Sequence, residues 1–213
     1  MDHYYHTFGL NRAKGSKFGH NFDYPFIYRK MVQLAPHDGH FVEIGSHIGG
    51  SSCFLAVEII NSGKNIKLDC IDPWNEDPDY GMDRFNEFTK NMKPVEGYYN
   101  AIRAYSPAAA DQYQDQSLDF VWIDGDHWYD GVKADILGWL PKIKKNGWLG
   151  GHDCDKHGGD VEKVVHELLG DYISEGLVEF HSSEKFFKDS DTNTINHDYL
   201  DHYRKSFLVQ ITK

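Results

Sequence analysis

Residues 40–52, HFVEIGSHIGGSS, constrain what this chain can fold into more than any other stretch. Phe41, Val42, Glu43 and Ile44 read as a short buried strand, residues 45–50 as a turn, and residues 51–60 as a helix. Glycines at 45, 49 and 50 let the backbone turn tightly and let a ligand approach it closely. A helix starting near Ser51 aims unpaired N–H groups and its positive dipole end at that space. Such a site favours a carboxylate or a phosphate.

The rest of the chain repeats the pattern. Pro25 opens a helix whose apolar face is Phe26, Ile27, Tyr28, Met31, Val32 and Leu34, and Asp38-Gly39 breaks the chain before the first strand. Residues 66–72 alternate as a second strand, 82–92 form an amphipathic helix, and 98–104 a third strand. Ser106 is read as the cap of a short helix with Pro107 at its first position. Residues 117–123 are a strongly apolar fourth strand. A helix with Val132, Ile136, Leu137 and Leu140 on one face follows, then a fifth strand over 148–151. A helix over 161–169, ended by Gly170, precedes two last strands over 177–181 and 206–211.

These units predict an α/β fold: a doubly wound, mostly parallel seven-stranded sheet with helices on both faces and the last strand antiparallel. Its 213 residues are expected to form one domain. Residues 1–35 are expected to form an N-terminal cap or substrate segment, and residues 182–204 an insertion between the last two strands.

Composition narrows the partners. A net charge of −11 disfavours a polynucleotide substrate, because phosphates would be repelled. Cys53, Cys70 and Cys154 lack Cys-x-x-Cys spacing and read as reduced, buried thiols, and no stretch approaches a membrane span. A cytoplasmic protein acting on a small molecule is expected; homo-oligomerisation stays open.

In a doubly wound sheet, ligands bind at the carboxyl ends of the strands. Polar groups stand at four such ends: Glu43 to Gly45, Asp72, Asp124 with Asp126 and His127, and His152 with Asp153. Asp72 is placed to hydrogen-bond a ribose diol. Asp124, His152 and Asp153 offer two carboxylates and an imidazole to one divalent cation. The dinucleotide pattern G-x-G-x-x-G fails, because His47 stands where its second glycine belongs.

Glu43-Ile44-Gly45-Ser46-His47-Ile48-Gly49 resembles the first motif of class I S-adenosylmethionine-dependent methyltransferases. The run FVWIDGDHWYDGVKAD (120–135) and GWLGGHD (147–153) are similar to the small-molecule O-methyltransferases that include macrocin-type and catechol-type enzymes. The resemblance implies S-adenosyl-L-methionine, with Glu43, Gly45, Ser46, Gly49, Gly50 and Ser51 around its methionine end and Asp72 at the ribose. Ser106 and Trp74 fall on the adenine side, with Asp124 adjoining. It also implies Mg2+ or Mn2+ on Asp124, His152 and Asp153. His152 departs from the carboxylate usual there and favours an imidazole-tolerant ion such as manganese. Asp126 is the implied general base and His127 its rival.

The reaction expected is methyl transfer to a hydroxyl of a polar small molecule, a sugar or secondary metabolite. Two alternatives stand: a metal-dependent hydrolase or phosphoesterase, and a non-catalytic protein of this fold that binds S-adenosylmethionine or a partner.

Overall fold

The computed structural model describes residues 22, 24–75, 83–155, 159–182 and 205–212. Residues 1–21 of the expected cap and 183–204 of the expected insertion lie outside them. Helix α1 (Pro25–Leu34) precedes β1 (His40–Ile44), α2 (Gly50–Ser62), β2 (Lys67–Asp72), α3 (Arg84–Met92) and β3 (Asn100–Arg103). Then come α4 (Ser106–Ala110), β4 (Leu118–Ile123), α5 (Tyr129–Trp139), β5 (Ile143–Gly151), α6 (Val161–Leu168), α7 (Gly170–Ser174), β6 (Val178–Ser182) and β7 (Lys205–Gln210).

The strands form one seven-stranded sheet in the order β3-β2-β1-β4-β5-β7-β6. Strands β1 to β5 pair in parallel, and β7 runs antiparallel to both β5 and β6. The order reverses between β1 and β4, which opens a crevice at their carboxyl ends.

Successive strand residues face opposite ways. Phe41, Phe120 and Trp122 pack with α1, α2 and α3, whereas Val42, Ile44, Val121 and Ile123 pack with α4, α5 and α6. Both faces are therefore covered, as expected of parallel strands this apolar.

Four local expectations need correction. Leu137 is 53% exposed, and Trp139 takes the buried place on α5. Ser106 lies inside α4 with Tyr105 before it, and its hydroxyl accepts from the Trp139 indole N–H at 2.8 Å instead of capping. Strand β5 begins at Ile143, because Asn146-Gly147 makes a bulge, with Asn146 at φ +67°, where a turn was expected. Gly170 opens α7 instead of closing a helix.

At the amino end of the sheet, Asp69 on β2 is 1% exposed and lies 2.7 Å from His40 Nε2. It also accepts from Asn100 Nδ2 at 2.7 Å and the Tyr113 hydroxyl at 2.9 Å. Burial pushes its carboxyl up, but hydrogen bonds from His40, Asn100 and Tyr113 outweigh it and hold the group at about 2. An unfolded Asp titrates near 3.9. The ionised network thus adds stability that is fully present above about pH 4 and is lost as pH falls through about 2. We expect Asp69→Asn to cost on the order of 2 kcal/mol at neutral pH and to flatten acid unfolding in that window, read by circular dichroism.

Candidate functional site

A cavity of about 890 Å³ opens at the carboxyl ends of β1, β2, β4 and β5. Gly45, Ser46, Gly50, Ser51, Asp72, Ser106, Asp124, Asp126, His127, His152 and Asp153 all line it. Glu43, Gly49 and Trp74 do not, and each has a physical reason.

Glu43 ends β1 with its carboxylate turned into the protein, fully buried. It accepts from Tyr28 at 2.7 Å, Ser46 at 2.8 Å and the Ser52 hydroxyl. Burial pushes its carboxyl up against those hydrogen bonds. It braces the glycine turn from behind and does not face the ligand space. Gly49 precedes α2 at φ +85°, and a Cβ there would meet Met92 and Phe88, on the core side. The first turn of α2 carries no side-chain cap and no acid, and Gly50 and Ser51 sit at the cavity. Its free amides supply the anion-favouring end expected there.

Gly45 is the tightest point of the turn. At φ +82° its missing Cβ would stand 1.9 Å from the Asp124 carbonyl oxygen. Only glycine lets the β1 turn lie against the tip of β4. The two halves of the cavity meet there.

Asp72 Oδ2 accepts the His47 backbone N–H at 2.9 Å, and Oδ1 accepts that of Trp74 at 2.7 Å. His47 and Trp74 are both left-handed, at φ +47° and +41°. One carboxylate thus stabilises two strained residues, one in the turn after β1 and one in the loop after β2. The Trp74 ring is 2% exposed, packs on Phe85 and Phe88, and donates its N–H to the His47 carbonyl at 2.6 Å. It is a core residue under the loop and contributes no wall on the adenine side.

The acids and histidines of β4 and β5 converge. One ligand atom each from Asp124, His152 and Asp153 lies within 4.8 Å of the others. His152 Nδ1 stands 3.4 Å from Asp153 Oδ1 and 3.7 Å from Asp124 Oδ1. Burial pushes Asp124 up, but the charge of His152 and the nearby His127 imidazole hold it at about 2. Asp153, 1% exposed, is held low by hydrogen bonds with His127 and His152 against its burial. Two ionised carboxylates beside an imidazole are a donor set that fits a divalent cation of mixed oxygen and nitrogen preference. Asp153 also sits at φ +54°, a strained conformation of the kind that collects at functional sites.

The two candidate bases differ. His127 Nε2 is 2.9 Å from Asp153 Oδ2 and 3.7 Å from Asp124 Oδ1. The neighbouring carboxylates of Asp124 and Asp153 raise it to about 9, against burial. Held this way it carries its proton at neutral pH. Asp126 accepts the Trp128 N–H at 2.9 Å and packs on Gly131, where a Cβ would lie 2.4 Å from its Oδ2.

Sequence reasoning missed several cavity residues: Phe22, Tyr24, Arg84 and Asp135. Asp135 is 3% exposed, and burial raises its carboxyl to about 6 against a hydrogen bond with Ser106. It ends the 120–135 run that carries the resemblance, but it was given no role there. Tyr28 was read on the apolar face of the helix, whereas Tyr24, at the N-cap before Pro25, was not singled out.

A family model for a methyltransferase domain matches residues 42–154. The uncharacterized protein y4gI of Sinorhizobium fredii is 28% identical over 151 residues. That match covers 68% of this chain and 16% of the relative's length. Among solved structures, an O-methyltransferase from Bacillus cereus in complex with SAH aligns with a TM-score of 0.60 at 12% identity, over 99% of this chain and 89% of its own. A SAM-dependent O-methyltransferase from Thermotoga maritima aligns at 0.60 and 11% identity, over 96% and 70%. A precorrin-6y C5,15-methyltransferase from Geobacter metallireducens gives 0.57 at 15% identity, over 88% and 87%. At these identities the structures establish a shared fold, the Rossmann-like sheet.

Proposed function

Since the chain belongs to the methyltransferase-domain family, we propose that it transfers the methyl group of S-adenosylmethionine to a hydroxyl of a polar small molecule, assisted by a divalent cation. One observation carries this reading: the glycine turn, Asp72 and the Asp124–His152–Asp153 cluster share a single cavity of about 890 Å³. That volume suits a nucleoside-sized ligand beside a small acceptor.

Gly45, Ser46, Gly50 and Ser51 would hold the methionine end, the carboxylate facing the free amides of α2. Asp72 would accept from the ribose diol with the lone pairs its two amide contacts leave over. Ser106 and Asp135 would stand on the adenine side. A cation bound by Asp124, His152 and Asp153 supplies a lowered pKa for a hydroxyl placed near it. Asp126 would take that hydroxyl's proton as the oxygen–carbon bond forms and the carbon–sulfur bond breaks. His127, 2.9 Å from Asp153 Oδ2, would hold that carboxylate in place. A polar, hydroxylated acceptor agrees with a wall of carboxylates and imidazoles. The match to a methyltransferase-domain family favours methyl transfer over the hydrolase alternative.

The test follows radiolabelled methyl from S-adenosylmethionine into a panel of sugars and hydroxylated metabolites. An alkali-stable labelled ether, lost in Asp126→Asn, is the expected result. Binding of S-adenosylmethionine without product for any acceptor would favour a non-catalytic role, and an alkali-labile product would mark a carboxyl as the acceptor.

A further inference from the structure

We infer that helix α1 is a positioning element for the site, with Tyr24 setting Asp124 for the cation and Tyr28 setting Glu43 for the cofactor turn. The inference rests on the function proposed above. Pro25 fixes the first position of α1, so Tyr24 stands at its N-cap and Tyr28 one turn on. Both rings pack on Trp122, with centroids 4.4 and 5.5 Å away, and are 2% and 0% exposed.

Phenylalanine would fill such core positions without desolvating a hydroxyl. Here each hydroxyl reaches a different carboxylate. Tyr24 donates to Asp124 Oδ2 at 2.8 Å, and its ring lies 4.8 Å from that of His152. With Oδ2 engaged, Asp124 presents Oδ1 toward His152 and His127. Tyr28 donates to Glu43 Oε1, so Oε2 is left to accept from Ser46 in the turn and Ser52 in α2. One helix face therefore orients a cation ligand at β4 and a turn brace at β1.

The test is a cross-comparison of Tyr24→Phe and Tyr28→Phe, each checked for folding by circular dichroism. Mn2+ affinity is read by electron paramagnetic resonance, and S-adenosylhomocysteine affinity by calorimetry in chelator. Partners that orient a metal ligand are worth about 10- to 100-fold in affinity. Tyr24→Phe is expected to weaken Mn2+ about tenfold or more and to leave S-adenosylhomocysteine within about twofold. Tyr28→Phe is expected to do the reverse. A merely structural role would move both ligands together or neither, and either pattern overturns the inference. If Tyr28→Phe does not fold, Tyr24→Phe decides alone. Unchanged variants of a wild type that binds Mn2+ contradict only this inference, whereas a wild type that binds no Mn2+ overturns the cation reading and this inference with it.

Discussion

Replacing Asp72 by alanine is expected to weaken S-adenosylhomocysteine binding about 100-fold, the largest loss of cofactor affinity from any single side chain of the site. A hydrogen bond to a charged group is worth about 1.5–3 kcal/mol, so the loss of one such bond to the ribose would account for about 10- to 160-fold. A second effect adds to it. Asp72 also holds the amides of His47 and Trp74, both at positive φ, and without it these residues can relax out of the crevice. Asp72→Asn keeps one acceptor oxygen and should lose only about tenfold. Calorimetry on both variants checks the ranking. Equal affinities for the wild type and Asp72→Ala would remove Asp72 from the cofactor site.

Gly45→Ala should produce the largest loss of stability. The new Cβ would stand 1.9 Å from the Asp124 carbonyl oxygen, 2.4 Å from its carbon and 2.9 Å from the Gly125 nitrogen. All three are backbone atoms, so no side chain can swing away. Overpacking costs about 1–3 kcal/mol, and a non-glycine residue held at φ +82° adds about 1 kcal/mol or more. At about 2–4 °C per kcal/mol for a chain of this size, the melting temperature should fall by about 10 °C. Relief of the clash must also push the tip of β4 away, so Mn2+ affinity should fall with stability. A melting curve that superimposes on the wild type would contradict the close approach of β1 and β4.

Much of the fold was legible because buried parallel strands write themselves as short apolar runs. Residues 117–123 and 41–44 are such runs, and the polar residues that end them mark the carboxyl edge. Asp72, Asp124, Asp126, His127, His152 and Asp153 reach the cavity for that reason. What stayed hidden depends on which way a side chain turns. Glu43 ends a strand like the others, yet three hydroxyls from separate segments draw it inward. Trp74 closely follows Asp72, but its left-handed backbone sends the ring under the loop. Asn146-Gly147 looks the same in sequence whether it makes a turn or a bulge, and pairing with β4 and β7 decides for the bulge. Tyr28 was read only as part of an apolar helical face and Tyr24, just before Pro25, was not singled out, which concealed the two hydroxyls that reach the carboxylates.

The most direct test of the account is a calorimetric titration of the purified protein with S-adenosylhomocysteine, after chelation and again with Mn2+ restored. The expected result is saturable one-to-one binding in both conditions, with a separate Mn2+ isotherm that Asp153→Asn abolishes. Absence of any saturable heat from S-adenosylhomocysteine in either condition would contradict the account at its centre.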